Sequence, residues 1–349
     1  MRLKWQALAT VALVAGTACS SSVTPNPPHG NPNLFLFHTI TTIGSIVDPI
    51  NGDQNPYGLA IAPLSAGMLT AGDLVECNFN DAANVQGNGT SVEVIHPTPG
   101  STAHRFAQST AQMGCGAVAP LSNGSVAVTA KLANNVLLYN PSGGQTVIPH
   151  AWNGPWGIAF AAAATPALYV SNANDGSIVR VRFNANGTFG FDQIATGFSV
   201  NHGAPGNIFA PYGLSYAAAN DTLYIMDTNT SRIVAFANVS SIPVGGIVVT
   251  GGTFSGPSAG SARVVASGAP LNNPLGSTIL PNGNLGVVNN SDDNFMEFKP
   301  DGTLVGMLAL DPGQGGGALF SIAAAVNTAG QAIVYYVDST DNTARILSP

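Results

Sequence analysis

The chain has 349 residues, of which only 8% are charged, and 41 glycines and 24 prolines punctuate it. Few charged helix formers and many turn formers disfavour a helical bundle and favour a turn-rich β protein. All 17 acidic residues but only eight of the ten basic ones follow Cys19, so the chain beyond that point is nine charges negative. It has no Lys/Arg cluster, which argues against nucleic acid and anionic membrane surfaces as partners.

The first element is a leader. Arg2 and Lys4 precede an apolar run from Ala7 to Gly16, and Gly16-Thr17-Ala18 leads into Cys19. A basic start, a short apolar stretch and small residues at a cleavage point mark a secretory signal over residues 1–18. A run this short does not span a bilayer, which takes about 20 apolar residues. Small residues before a cysteine resemble the bacterial lipobox, although Gly16 stands where leucine is usual. The resemblance implies that Cys19 is acylated, palmitate-type chains included, and becomes the mature N-terminus. Residues 19–33 are then the lipidated cysteine and a Ser/Pro/Asn-rich tether without periodicity. The implied location is the bacterial cell envelope, at the outer membrane or cell surface. The alternative is an ordinary signal peptide cleaved near Ala18, which leaves a periplasmic or secreted protein.

Beyond the tether, a spare strand is expected at Leu34–Ile43, and then a unit recurs six times. It opens with a bulky residue and glycine, as in YGLAIAP from Tyr57, CGAVAP from Cys115, WGIAFAA from Trp156, YGLSYAA from Tyr212 and LGSTILP from Leu275. In the sixth copy, FSIAAAV from Phe320, serine takes the glycine's place. A second strand follows and ends at Asn78, Ala130, Asn172, Asp227, Asn289 or Asp338; a third strand comes after it, delayed in the first copy by an insertion over Phe79–Thr90. Alternating strands separated by Gly, Asn and Pro, repeating every 40 to 60 residues, describe propeller blades that must stack on one another to bury both faces. The sixth copy lacks an outer strand, so the spare N-terminal strand is expected to complete it and remove a free edge. The fold class is therefore all-β, a six-bladed β-propeller over residues 34–349.

Segments such as NPYGLAIAP, LYIMDTNTSRIVAF and NPLGSTILPNGNLGVVNN resemble NHL-type repeats and, more distantly, the gluconolactonase- and strictosidine-synthase-like propellers. NFNDAANVQGNGTSVEVI, GPWGIAF and ALFSIAAAV are similar to exported bacterial propellers of unassigned activity. The resemblance implies the fold and leaves function open, because propellers host binding and catalysis alike.

The start of each first strand and the end of each second strand share one end of a hairpin, and that face of the ring is the expected channel face. There, Asn172, Asp227 and Asn289 are candidate ligands for a hard cation such as Ca2+, since oxygen donors from several blades suit it. Asn and Asp at such positions also simply make turns. In the gluconolactonase-like group a comparable Glu, Asn and Asp set holds a divalent ion; Glu76, one residue out of phase with Asn78, departs from it. His150 and His202 enter the same face and are candidate general bases. Cys77 and Cys115 fall near one rim of adjacent blades and are expected to form a disulfide. The Gly256–Gly260 match to G-x-S-x-G lacks a strand-to-helix elbow.

These residues lead to an envelope propeller that binds a small molecule or an envelope protein at its channel face, touches membrane only through its anchor and is monomeric. The alternative is a Ca-type metal-dependent hydrolase or lyase of the lactonase-like group, and a purely structural envelope role is a third possibility.

Overall fold

The computed structural model describes residues 33–311 and 315–349. The signal, Cys19 and nearly all of the tether lie outside them. No helix among the described residues is long and apolar enough to cross a membrane.

Six sheets form the blades of one propeller. Blade one runs from the inner strand Gln54–Ile61 outward through Leu74–Asn80, Ser91–Ile95 and His104–Gln108; blade two through Cys115–Pro120, Val126–Ala130, Asn135–Tyr139 and Gln145–Val147. Blade three holds Pro155–Ala161, Ala167–Asn172, Ile178–Phe183 and Phe189–Thr196, and blade four Pro211–Ala217, Thr222–Asp227, Arg232–Ala237 and Ala262–Ser267. Blade five comprises Pro274–Ile279, Leu285–Asn289, Asn294–Phe298 and Leu304–Ala309; blade six Leu319–Val326, Ala332–Asp338 and Thr343–Ser348. All six copies read from the sequence are blades.

The ring closes as expected, with one difference in extent. Thr39–Ser45 pairs antiparallel with Thr343–Ser348 and supplies the fourth strand of blade six. The strand does not begin at Leu34, because Leu34–Leu36 is a single 3-10 turn. Glu297 of blade five is the cause. Its buried carboxylate accepts the backbone N–H of Leu34 at 2.7 Å and of Asn33 at 3.3 Å, while also taking the amides of Asn282 and Asn284. The chain entering the domain is clasped to blade five before it reaches blade six.

The recurring glycine has a geometric reason. In every blade the inner strand slips register at the bulky-Gly step, as between Pro56 and Gly58 or Pro155 and Ile158. Such a bulge bends the strand and re-aims its side chains. It turns the ring residues of Tyr57, Trp156, Tyr212 and Phe320 inward and brings neighbouring inner strands together. A Cβ on Gly58 would stand 2.9 Å from Ala117 Cα, and one on Gly213 2.0 Å from the Leu275 carbonyl oxygen.

Two features depart from a simple six-fold pattern. Cys77, in the middle of the second strand of blade one, is bonded to Cys115, at the start of the next blade's inner strand, with Cα atoms 6.1 Å apart; the pairing expected from the sequence is present. Blade three also carries six strands instead of four. A hairpin, Ile247–Thr250 and Thr253–Ser255, leaves blade four between its third and outer strands and lies parallel to Phe189–Thr196. The IVVT-GG-TFS pattern, two β-branched runs about a Gly pair, is the sequence signal for it.

Candidate functional site

The mouth expected to bind is shut. At the level of the bulges, Tyr57 stacks on Phe320 at 3.8 Å between ring centroids and on Phe79 at 4.3 Å, with Trp156 edge-on at 5.7 Å. Trp156 packs against Tyr212 at 5.2 Å, and the Tyr212 hydroxyl lies 2.6 Å from the Gly116 carbonyl oxygen and 3.1 Å from that of Tyr57. Four blades thus meet in one apolar plug across the axis. Ile208 and Ala210, from the linker between blades three and four, are buried against it. That linker is folded on Asn201, whose Oδ1 accepts the N–H groups of Gly203 and Phe209. It reaches the blade-one insertion, where a Cβ on Gly206 would lie 3.0 Å from the Gln86 side chain.

The polar residues at this face are committed within the fold. Asn172 Oδ1 accepts the N–H of Asn153, and Asn289 Oδ1 that of Asn272, each fastening the incoming linker to its own blade. Asp227 and Asp338 instead hold arginines, Asp227 with Arg232 and Asp338 with Arg345 at 2.9 Å. Asn172, Asp227 and Asn289 are at most 2% exposed, and no hydrogen bond among the described residues joins any two of them. Asn172 Oδ1, Asn289 Oδ1 and Asp227 Oδ2 already have donors, and although Asp227 Oδ1 is buried without one, no hydrogen bond among the described residues brings the other two residues to it, so this set does not fit a shared Ca2+. No group of three or more His, Cys, Asp or Glu side chains among the described residues is placed to hold a metal ion.

The two histidines do not meet either. His150 lies against the outer part of blade three, stacked on Phe191 at 4.4 Å and edge-on to Trp152 at 4.7 Å. Desolvation there lowers its pKa below the ordinary histidine value. The linker after an outer strand starts at the rim of the ring, and His150 sits near that start. It does not reach the channel. His202 is exposed on the capping linker with a left-handed backbone, φ 51°.

The open volume is at the other end. Beneath the plug, the second halves of all six inner strands enclose a cavity of about 530 Å3. Its roof is Tyr212. Its walls are apolar side chains such as Leu59, Ile158 and Ile322, interrupted by hydroxyls on blades four, five and six. Ser215 and Ser277 bond to each other at 2.8 Å, and Thr278 Oγ1 accepts the Ala324 N–H. Inner strands have a sheet partner on one side only, so their other edges present backbone N–H and C=O groups toward the axis. Among the described residues, no Asp, Glu, Lys, Arg or His lines this space.

Known proteins agree on the architecture. No protein-family model matches the chain, and no curated protein matches its sequence. Solved structures do match in fold. Virginiamycin B lyase from Staphylococcus aureus superposes with a TM-score of 0.53 at 12% identity, over 89% of this chain and 99% of that one. Regucalcin from Agrobacterium tumefaciens, described as a calcium-binding protein, gives 0.56 at 14% identity over 88% and 94%. A chain of the nidogen/laminin complex gives 0.54 at 13% over 79% and 85%. The likeness is one of fold. It places the chain among six-bladed propellers that include NHL-type, lyase and lactonase-like members, and at these identities it carries no residue's role across.

Proposed function

We propose that this is an exported propeller, anchored through Cys19, that binds a small uncharged ligand in the open half of its channel. The observation that carries the reading is the cavity itself. It is walled by every blade, roofed by an aromatic plug, large enough for a small molecule and, among the described residues, lined by no Asp, Glu, Lys, Arg or His. A charged ligand would lose its hydration there without finding a counter-charge. Backbone edges and hydroxyls can satisfy a few polar atoms on a mainly apolar body. General acid–base chemistry needs a titratable group within reach of the reacting proton, and the lining supplies only Tyr212 and Tyr216, whose ionisation burial pushes above the ordinary tyrosine range. Binding is therefore favoured over the hydrolase or lyase alternative.

Nile red, an uncharged polarity-sensitive dye, is expected to saturate at one molecule per chain with blue-shifted emission, while the anionic dye ANS does not compete. Ser321→Phe narrows the channel from blade six and is expected to weaken Nile red about tenfold or more, a loss of roughly 1.4 kcal/mol, with the unfolding midpoint unchanged. Equal binding of both dyes, or an unaffected Ser321→Phe, would overturn the site. For the anchor, wild-type protein is expected in the detergent phase on phase partition and Cys19→Ala in the aqueous phase; wild type in the aqueous phase would remove the lipid.

A further inference from the structure

Blade one carries a buried group of charges that the cavity does not use. Glu76 and Glu93 oppose each other across the second and third strands, and neither has any exposed surface. They share a face with Leu74 and Ile95, which pack on Ile43, Ile46 and Val337 at the seam with blade six. Asn78 is bonded to both: its Nδ2 lies 2.9 Å from Glu93 Oε2 and 3.3 Å from Glu76 Oε1. The same nitrogen donates to the Ile46 carbonyl oxygen at 2.9 Å, on the linker that follows the closing strand.

Arg105, opposite Glu93 on the outer strand, is committed elsewhere. Its Nε and a terminal nitrogen lie 2.7 and 2.6 Å from Asp48 Oδ2. Burial acts to raise the Asp48 pKa, but the bonds from Arg105 and from the Ile50 N–H more than offset it, and the carboxyl stays below the usual range. Arg105 therefore neutralises Asp48 and leaves the two glutamates without a counter-charge. From blade six, Tyr335 packs on this seam, and burial pushes its ionisation above the ordinary tyrosine range.

Facing carboxyls without a counter-charge need either a metal ion or protons. Asn78 decides between them. Its Nδ2 is engaged by Ile46, so the amide edge turned to the glutamates carries hydrogens, where a hard cation requires oxygens. We propose that Glu76 and Glu93 form a proton-held latch, which keeps Asn78 bonded at once to blade one and to the linker behind the closing strand and so secures the ring. Burial, and for Glu93 also the neighbouring Glu76, raises both carboxyls well above the ordinary glutamate value of 4.5. The folded protein thus holds protons that the unfolded chain releases. The stabilisation is complete below about pH 4.5 and is lost as the pH rises through the raised folded values, with the opening equilibrium growing about tenfold per pH unit for each proton involved.

The test compares wild type with Glu76→Gln/Glu93→Gln from pH 5 to 9. Urea unfolding is read together with amide exchange in Thr39–Ser45, corrected for intrinsic rates. Wild type is expected to open about tenfold more per pH unit across at least one unit, and the double variant to show no such slope. Carboxyl 13C resonances of wild type, which need no variant to fold, are expected to show two glutamates titrating well above the others. Two ordinary titrations, or parallel profiles for wild type and variant, would overturn the latch. So would a rise in the wild-type midpoint on adding Ca2+ or Mg2+ at pH 8 that the double variant lacks, since that outcome makes the pair a metal site.

Discussion

Gly157→Ala is expected to destabilise the propeller by about 4–5 kcal/mol, the upper end of single-substitution effects. A Cβ at this position would stand 1.7 Å from the Tyr212 carbonyl oxygen and 2.7 Å from its carbon. No rotamer relieves a backbone clash, so the inner strands of blades three and four must separate. Overpacking alone costs about 1–3 kcal/mol. Separation also pulls the Tyr212 hydroxyl from the carbonyls of Gly116 and Tyr57, which lie across the axis, and each lost hydrogen bond costs about 1 kcal/mol. Gly260→Ala is the control: nothing lies within 4 Å of its would-be Cβ and its backbone is not left-handed. It is expected to stay within about 0.5 kcal/mol of wild type. Urea midpoints and Trp fluorescence, with Trp156 in the plug, read both. Similar midpoints for the two variants would show that the glycine ring is not what lets the strands close.

Removing the disulfide is expected to cost about 4 kcal/mol. Cys77 and Cys115 are 38 residues apart, and closing a loop of that size in the unfolded chain accounts for roughly this much in the chain-entropy model. The loop holds the third and outer strands of blade one and the junction to blade two. Both cysteines are fully buried in the apolar layer between those blades, beside Val92, Val118 and Val128. Cys77→Ser/Cys115→Ser, or wild type with reductant, is expected to unfold at markedly lower denaturant. Coincident unfolding curves with and without reductant would show that the bridge contributes nothing.

The ring and its closure were legible because they rest on local patterns that repeat. The bulky-Gly step marks the bulge, Asn or Asp marks the end of a second strand, and the missing outer strand of the last copy calls for the N-terminal one. The Asn/Asp ends of the second strands are legible in blades three to six, whereas in blade one the strand runs two residues past Asn78 to Asn80, and the partners of these residues are not legible. Asn172 and Asn289 take backbone N–H groups of the linkers 153 and 272, whereas Asp227 and Asp338 take Arg232 and Arg345. A carboxylate and an amide at one structural position thus choose different partners. Spacing tells which ends of the strands lie together, not what covers them, so the aromatic plug over that face is not legible in it. The insertion at Phe79–Thr90 is visible as extra length. That it meets the linker carrying Ile208 over an aromatic plug depends on contacts about 120 residues apart along the chain. The cavity left few marks in the sequence, since its lining is Ala, Leu, Ile and Ser that read as ordinary strand residues. Glu76 was noticed only as a departure from a pattern; its pairing with Glu93 needed the strand register.

The hairpin Ile247–Ser255 has a bearing on how such a ring can be edited. It is encoded within blade four and built into the sheet of blade three, where Ala195 and Thr196 pair with Ile247 and Val248. Three of the six repeats, blades one, two and five, are self-contained in their wall. Blade six borrows its last strand from the front of the chain, and blades three and four share a wall. A duplication or deletion cut at the repeat boundary near Pro211 would strand half of that shared wall. An exchange that kept both sheets whole would have to move the two blades as one double module, although they read as two repeats.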